Sequence, residues 1–317
     1  MASFRTIHRI VLPAQINARG LLEFLALIGQ PIATDDVVLD FSRLQRIYPA
    51  GITVLVAVIK HWERTGHRVL YEGLEQCSIT AYLQRLDVLA ACGIQMPENF
   101  RRFESTARFV PVRQIGVDVT GLGNAMAVCV APGGADVDQP LSGLYDLVWY
   151  VVTEMANNVR QHSGGLGFAS AQVARAEGFV RLALADNGKG ILRSFQDVAL
   201  LWSRAMTDAA AIRKAIEPRV SSKGSPTNEG VGLTLVTEMT RQTKSWMLIV
   251  SGRGVLTLGP NGNIECRELD AGACYPGTVV ALTFLQTVVQ DFAALLTAAK
   301  VEAGLLHRRN PTAKFEL

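Results

Sequence analysis

Along residues 6–93, short apolar runs alternate with longer stretches in which apolar residues recur every three or four positions. The runs "TIHRIVL", "DVVLDF" and "HRVLYEG" are strand-like, while "ARGLLEFLALIG", "PAGITVLVAVIKHWERTG" and "SITAYLQRLDVLAACG" carry the helical period. Pro49 stands where the second helix opens, and Gly66 and Gly93 stand where the second and third close. Strands alternating with helices predict an α/β unit whose sheet is partly parallel.

The period is lost over residues 94–116, where Pro97, Pro111 and the arginines Arg101, Arg102, Arg108 and Arg113 read as a solvated linker with one short strand at "ARFVPV". From residue 117 the pattern changes. Two helices, "DVTGLGNAMAVCV" and "SGLYDLVWYVVTEMANNVRQH", flank the Pro/Gly turn "APGGADVDQP". Strands follow at "LGFASAQVA" and "GFVRLALAD", then a mixed helical stretch, then the helix "EGVGLTLVTEMTRQT" with glycines at its start. "SWMLIVS", "GVLTLG", "NIECREL" and "TVVALTFL" complete a run of strands joined by hairpin turns. This order predicts helices on one face of a mixed or antiparallel sheet, an α+β two-layer sandwich. Residues 288–300 read as a final apolar helix, and "HRRNPTAKFEL" as a loose tail. The division is residues 1–94, a linker at 95–116, a second domain at 117–286, and a helix with tail at 287–317, each domain long enough to bury its own core.

Composition narrows the function classes. The 317 residues are 49% hydrophobic and 19% charged, as in a soluble globular protein, and a net charge of +3 is too small to argue for a nucleic-acid partner. No apolar run approaches the ~18–20 residues that span a bilayer, so no membrane association is expected. The start "MASFRTIHRIVLPAQ" lacks the apolar core and cleavage site of a signal peptide, and its acid-free, arginine-bearing character is only a faint organelle-targeting feature. Five scattered cysteines with no CxxC spacing fit reduced thiols in a cytoplasmic protein and argue against a zinc site.

Three short motifs carry candidate chemistry. Glu154, Asn158 and His162 lie four apart in "VTEMANNVRQHSGG" and form one ridge of a helix, beside the apolar stripe of Leu144, Val148, Val151, Met155 and Val159. Polar groups at such a border require partners from the protein or from a ligand. Alone, the row also reads as a solvated helix edge. In "RLALADNGKGI" an apolar strand runs into Asp186, followed by Gly188 and Gly190. A carboxylate at a strand end can accept a hydrogen bond from an exocyclic amine, and glycines allow close approach of a ligand to the backbone. An ordinary Asn-Gly hairpin turn has the same letters. In "SSKGSPTNEGVGLTLV", Gly230 and Gly232 open a helix, whose N-terminal amides suit phosphate. It is the three in this order that point to a nucleotide site.

With these motifs, residues 117–286 resemble the GHKL (Bergerat-fold) ATPases, which carry an ExxxN helix, a DxGxG turn and a GxGL segment after a mobile lid. The resemblance implies a Mg-ATP site. Glu154 would be the base that orients the attacking water or hydroxyl, and Asn158 would coordinate Mg²⁺. Asp186 would bind the adenine amino group with Gly188 and Gly190 beside the base. Gly230, Gly232 and Leu233 would embrace the phosphates, Thr278 would sit near the adenine, and Lys223 in the presumed lid, residues 192–229, would reach a terminal phosphate or remain a solvated loop lysine. The ExxxNxxxH row brings in His162 and is similar to the anti-sigma-factor serine-kinase branch. The chain lacks the HExxxP phosphoacceptor helix of a histidine kinase.

The stretch "VVLDFSRLQRIYPAGITVLVAVIKHWERTGHRVLYEG" resembles the STAS fold of anti-sigma-factor antagonists, in which the residue before a loop glycine receives phosphate. Here the tip reads Tyr48-Pro49-Ala50-Gly51, with no hydroxyl at the acceptor position. The expectation is therefore an ATP-binding regulatory protein that hydrolyses ATP or phosphorylates a protein on Ser/Thr, with a STAS-like domain that docks on a protein partner or on the chain's own ATPase domain. Homodimerisation is left open. An ATP-gated interaction switch without turnover is the alternative, and a scaffold with a dead pocket comes third.

Overall fold

The computed structural model describes residues 6–17, 20–102, 108–136, 138–198, 200–220 and 230–306. The N-terminal part contains β1 (Ile7–Val11), β2 (Gln15–Ile16), α1 (Gly20–Ile28), β3 (Asp36–Asp40), β4 (Arg46–Ile47), α2 (Pro49–Arg64), β5 (Arg68–Glu72), α3 (Thr80–Arg85) and α4 (Val88–Ala91). Strands β1, β3 and β5 form a parallel sheet in the order β1-β3-β5. All five residues of the central strand β3 are buried, which is why "DVVLDF" shows no polar alternation. The helix expected over 78–93 is instead two short ones. The chain breaks at Asp87, which takes a left-handed conformation (φ 56°) and accepts a hydrogen bond from Arg102 Nη1 at 2.7 Å. Arg102 also donates to Glu98 and to the Gln84 carbonyl, so it braces this turn and is no free member of a solvated cluster.

The second part begins earlier than the sequence pattern indicated. The linker reading of 95–116 gives way at Phe109, because β6 (Phe109–Gln114) is the edge strand of the large sheet. There follow α5 (Val119–Val130), α6 (Ser142–Asn158), β7 (Gly167–Ala174), β8 (Phe179–Asp186), α7 (Gly190–Asp197), α8 (Asp208–Ala215), α9 (Gly232–Gln242), β9 (Trp246–Gly252), β10 (Gly254–Leu258), β11 (Ile264–Glu268), β12 (Tyr275–Leu285) and α10 (Phe292–Glu302). The seven strands lie in the order β11-β10-β9-β12-β8-β7-β6, and every pair is antiparallel. Helix α10 starts at Phe292, after the expected 288, because the Asp291 carboxylate accepts from the Ala294 amide and caps the first turn there.

One face of this sheet follows the expectation. Leu144, Leu147, Val148, Val151 and Val152 of α6 pack with helices α5, α9 and α10 on Leu182, Leu184, Ile249, Leu256, Val280 and Leu282. The other face is not open. Phe168, Ala185, Val250, Val255 and Val279, on alternate positions of the same strands, share a core with Val54, Leu55, Val56, Ala57, Val58 and Ile59 of α2. Helix α2 is thus enclosed between the three-stranded and seven-stranded sheets, and the two parts do not have separate cores. The two-layer sandwich becomes a stack of helices, sheet, helix and sheet.

Further contacts tie the parts together. The Cys274 amide donates to the Gly29 carbonyl at 2.9 Å, the Val112 amide to Leu86, and Gln172 Nε2 to the Tyr82 hydroxyl at 3.1 Å. The tip before α2 also turns inward: the Arg181 guanidinium of β8 lies over the Tyr48 ring, 4.3 Å from its centre. Of the two docking surfaces expected for the tip, the one it meets here is the chain's own sheet. No helix among the described residues is long and apolar enough to cross a membrane.

A helix whose middle, residues 54–59, is buried on all sides makes the two parts one cooperative unit. Calorimetry of the full chain should show a single unfolding transition. Leu55→Ala, in a fully buried position, should destabilise that one transition by ~2–5 kcal/mol. Two resolved transitions, of which only one responds to Leu55→Ala, would contradict the shared core.

Candidate functional site

Helix α6 carries the polar row and changes its geometry at the end. After Asn158 the chain makes a π-helical turn, Val159–Ser163, and leaves it through the left-handed Gly164 (φ 67°). Such wide turns within helices recur at functional sites because they re-aim side chains that a regular helix would keep in line. The even ridge of Glu154, Asn158 and His162 therefore does not continue as one regular helix. Asn158, His162 and the following Ser163 all line a single cleft.

The cleft encloses about 910 Å³ of space, its open mouth included. Met155, Val159, Leu184, Ile191, Phe195, Ile249 and Val280 supply apolar walls, and Asp186, Gly190, Gly230, Gly232, Leu233 and Thr278 also line it. An apolar pocket with a few convergent polar groups is the usual form of a small-molecule site. Elements far apart in sequence converge here: the end of α6, the end of β8, the starts of α7 and α9, and the strands β9 and β12.

Asp186 is the polar centre. Its carboxylate is buried, yet Oδ1 accepts from Ser163 Oγ at 2.6 Å and from the Gly188 amide at 2.8 Å, and the Thr278 amide also reaches the carboxylate. Burial pushes its pKa up to about 6 against these hydrogen bonds, which favour the charged form. At neutral pH the group is an anion at the edge of an apolar space, suited to accept a hydrogen bond from a ligand.

The glycines of "DNGKG" are required by the chain itself. A Cβ at Gly188 would stand 2.1 Å from both the carbonyl and the hydroxyl oxygen of Ser163, and Gly190 opens α7 with φ 75°. Ser251 completes this corner. Its hydroxyl accepts from the Ile191 amide at 2.8 Å, donates to the Gly277 carbonyl at 3.1 Å, and lies 3.1 Å from Thr278 Oγ1.

Glu154 lies one turn before Asn158, half-buried, and does not line the cleft with it. Its carboxylate faces the first residue of α9: a Cβ on Gly232 would fall 2.2 Å from Oε2. A side chain at 232 would push the carboxylate aside, so glycine keeps the start of α9 against the acid. Burial raises the pKa of Glu154, the direction that suits a proton acceptor working near neutrality.

The described residues of 192–220, expected as the first part of a lid, are largely structured. The short α8 buries Ala211 and Ile212, the Asp208 carboxylate accepts from the Arg253 amide at 3.0 Å, and the Ala209 amide donates to Glu268. This stretch is fastened to the β9–β11 side of the sheet. Lys223 and the rest of the expected lid, 221–229, lie outside the described residues.

Sequence reasoning named neither Ser163 nor Ser251 as a site residue, and of the apolar walls it placed only Met155 and Val159, on the stripe beside the polar row. Ser163 directly follows the ExxxNxxxH row and was within reach of a motif argument. Ser251 ends an apolar strand and carries no sequence signal. Compared with known proteins, the chain matches no family model, no curated protein and no solved structure.

The raised pKa of Asp186 has a sign that denaturation can test. Between its ordinary value of 3.8 and about 6, the folded chain holds a proton that the unfolded chain releases. The group's contribution to stability is therefore most favourable below pH 4 and declines as the pH rises through 6. Relative to wild type, Asp186→Asn should gain about 2 kcal/mol between pH 4 and pH 8, read from urea unfolding curves. A stability difference independent of pH would show that the carboxylate is not desolvated as described.

Proposed function

We propose that this chain is an ATP-binding regulatory protein with a GHKL-type Mg-ATP site in its C-terminal part and a STAS-like N-terminal part. The single observation that carries the reading is the buried Asp186 carboxylate, held by Ser163 and Gly188 at the edge of an apolar cleft. That cleft is also lined by Asn158, Gly230 and Gly232. A carboxylate so placed fits the exocyclic amine of adenine, and the apolar walls fit the faces of the ring. The start of α9 offers main-chain amides to phosphate oxygens. Asn158 would hold Mg²⁺, which neutralises phosphate charge when bound. Glu154, half-buried and raised in pKa, would take the proton from an attacking water or hydroxyl, at the point where Gly232 brings α9 against it.

The STAS-like reading is supported by the parallel order β1-β3-β5 and by a loop tip that leads into α2. The tip is no phosphate acceptor in this reading. Thr53, the nearest downstream hydroxyl, is fully buried and donates to the carbonyls of Pro49 and Ala50. Ser42 is exposed on the turn after β3, and its amide donates to Asp40. The ATP-gated switch without turnover is the second reading. It is favoured by the continuous packing of α2 against the strand that ends in Asp186.

Titration calorimetry with MgATP is the first test, and absence of binding by the intact protein would overturn the proposal. Asp186→Asn should weaken ATP binding roughly tenfold to a hundredfold, the usual value of a hydrogen bond to a charged group. Wild-type affinity should fall as the pH drops through about 6 and the carboxylate takes a proton. Glu154→Ala should keep ATP binding and slow turnover by ~10² to 10⁴, whereas Asn158→Ala should lose Mg²⁺-dependent affinity. Equal turnover in wild type and Glu154→Ala would favour the switch.

Incubation with MgATP followed by mass spectrometry should find no stoichiometric phosphate within residues 36–60. Phosphate there would show that an acceptor survives at a displaced position.

A further inference from the structure

The residue between Asp186 and Gly188 does not face the cleft. Asn187 is fully buried, and its main-chain and side-chain polar groups are all engaged. Its amide donates to the Leu166 carbonyl at 3.0 Å, and its Oδ1 accepts from the Leu166 amide at 2.8 Å. These two bonds lock the β8 turn to the chain leaving the π-helical turn, where Ser163 sits. The other two polar groups face the N-terminal part. Asn187 Nδ2 donates to the Ala57 carbonyl in the middle of α2 at 3.0 Å, and the Asn187 carbonyl accepts from Arg64 Nη2 at 2.7 Å, at the end of α2.

An extra bond to a carbonyl in mid-helix is possible only because the chain turns away from the sheet directly against α2. The close fit extends to the neighbours: a Cβ at Gly165 would meet Asn187 Oδ1 at 2.6 Å and the Gly188 amide at 2.7 Å. The Arg64 charge also acts on Asp186 through the same turn, in the direction that favours its ionised form.

We infer that Arg64 and Asn187 are positioning residues, through which helix α2 of the N-terminal part sets the turn that aims the Asp186 carboxylate into the cleft. Neither touches the space a ligand would occupy. Their effect runs through the main chain of residues 186–188, which has little freedom: one amide is bound to Asp186, one to Leu166, and one carbonyl to Arg64. The N-terminal part is then a built-in component of the binding site, and any displacement of α2 is transmitted to the carboxylate. As to what the cleft binds, this inference rests on the nucleotide reading given above; the clamp itself does not.

The test compares the full-length wild type with Arg64→Ala and Arg64→Lys by two readouts. Arg64 is exposed at the end of its helix, so both variants should fold with near wild-type Tm. In the protein without nucleotide, hydrogen exchange at the Leu166 and Gly188 amides should quicken several-fold in Arg64→Ala, with the strands β9 and β10 unchanged. Arg64→Lys should restore most of the protection, since its ammonium can still reach a carbonyl. Calorimetry should show ATP affinity about tenfold weaker in Arg64→Ala, with a smaller loss for GTP, because the carboxylate that selects the amino group is the part misplaced.

Unchanged exchange at those two amides, or a uniform rise across the whole chain, would overturn the clamp. So would unchanged ATP affinity and an unchanged ATP-to-GTP ratio in a wild-type protein that does select ATP. If the wild type binds no ATP while the local exchange response is present, the clamp stands and the nucleotide reading falls.

Discussion

The enclosure of helix α2 between two sheets is the interaction on which the rest of this molecule depends. Six consecutive residues, Val54 to Ile59, are buried, and no face of this segment is left for water. Each of its Val, Leu and Ile side chains contributes about 1.5–3 kcal/mol relative to exposure, so this one segment outweighs any surface ion pair in the chain. The Arg9–Asp40–Glu72 cluster illustrates the comparison. Its distances of 2.8 and 2.9 Å are good, but the arginine is more than half exposed, and solvent screens what the geometry offers. Removing α2 would uncover the apolar face formed by Phe168, Ala185, Val250 and Val279.

The same enclosure explains how a costly site is kept in place. A buried carboxylate is unfavourable unless hydrogen bonds compensate, and Asp186 gathers its donors from α6's terminal turn, its own turn and β12. Those donors come from three elements that meet only when the sheet is assembled. The back of the turn is held by α2 through Asn187, so the helix that covers the second face of the large sheet also holds the turn behind the polar site.

Much of this was legible in the chain. The strands "GFVRLALAD" and "TVVALTFL" and the helices around Glu154 and Gly232 form where their patterns place them. Their pairing was not legible: hairpins join β9, β10 and β11 as expected, but β12 leaves that run and lies between β9 and β8. The expected set Asn158, His162, Asp186, Gly190, Gly230, Gly232, Leu233 and Thr278 meets in one cleft, with Gly188 bonded to Asp186 and Glu154 set apart against Gly232. Other features were not legible. A π-helical turn is a matter of one extra residue per turn and leaves the apolar period nearly unaltered. The break at Asp87 meets Arg102, fifteen positions away, whose reach no local pattern records. The two-residue strands β2 and β4 are too short for any periodicity to show.

The chain by itself determined where most strands and helices lie and which short motifs are candidates for chemistry, because periodicity, proline and glycine act over a few residues. It also contained an unused sign of the larger arrangement. Strands such as "MLIVS" and "RLALAD" are apolar on both faces, as only a sheet covered twice can be. What covers the second face was decided by tertiary structure alone. Period and composition say that the segment 54–59 of α2 is apolar all round; they do not say against what it packs. Only the assembled fold brings the carbonyl of Ala57 and the guanidinium of Arg64 to Asn187, 130 and 123 residues away, because a hydrogen bond between such distant groups exists only after the core between them has closed.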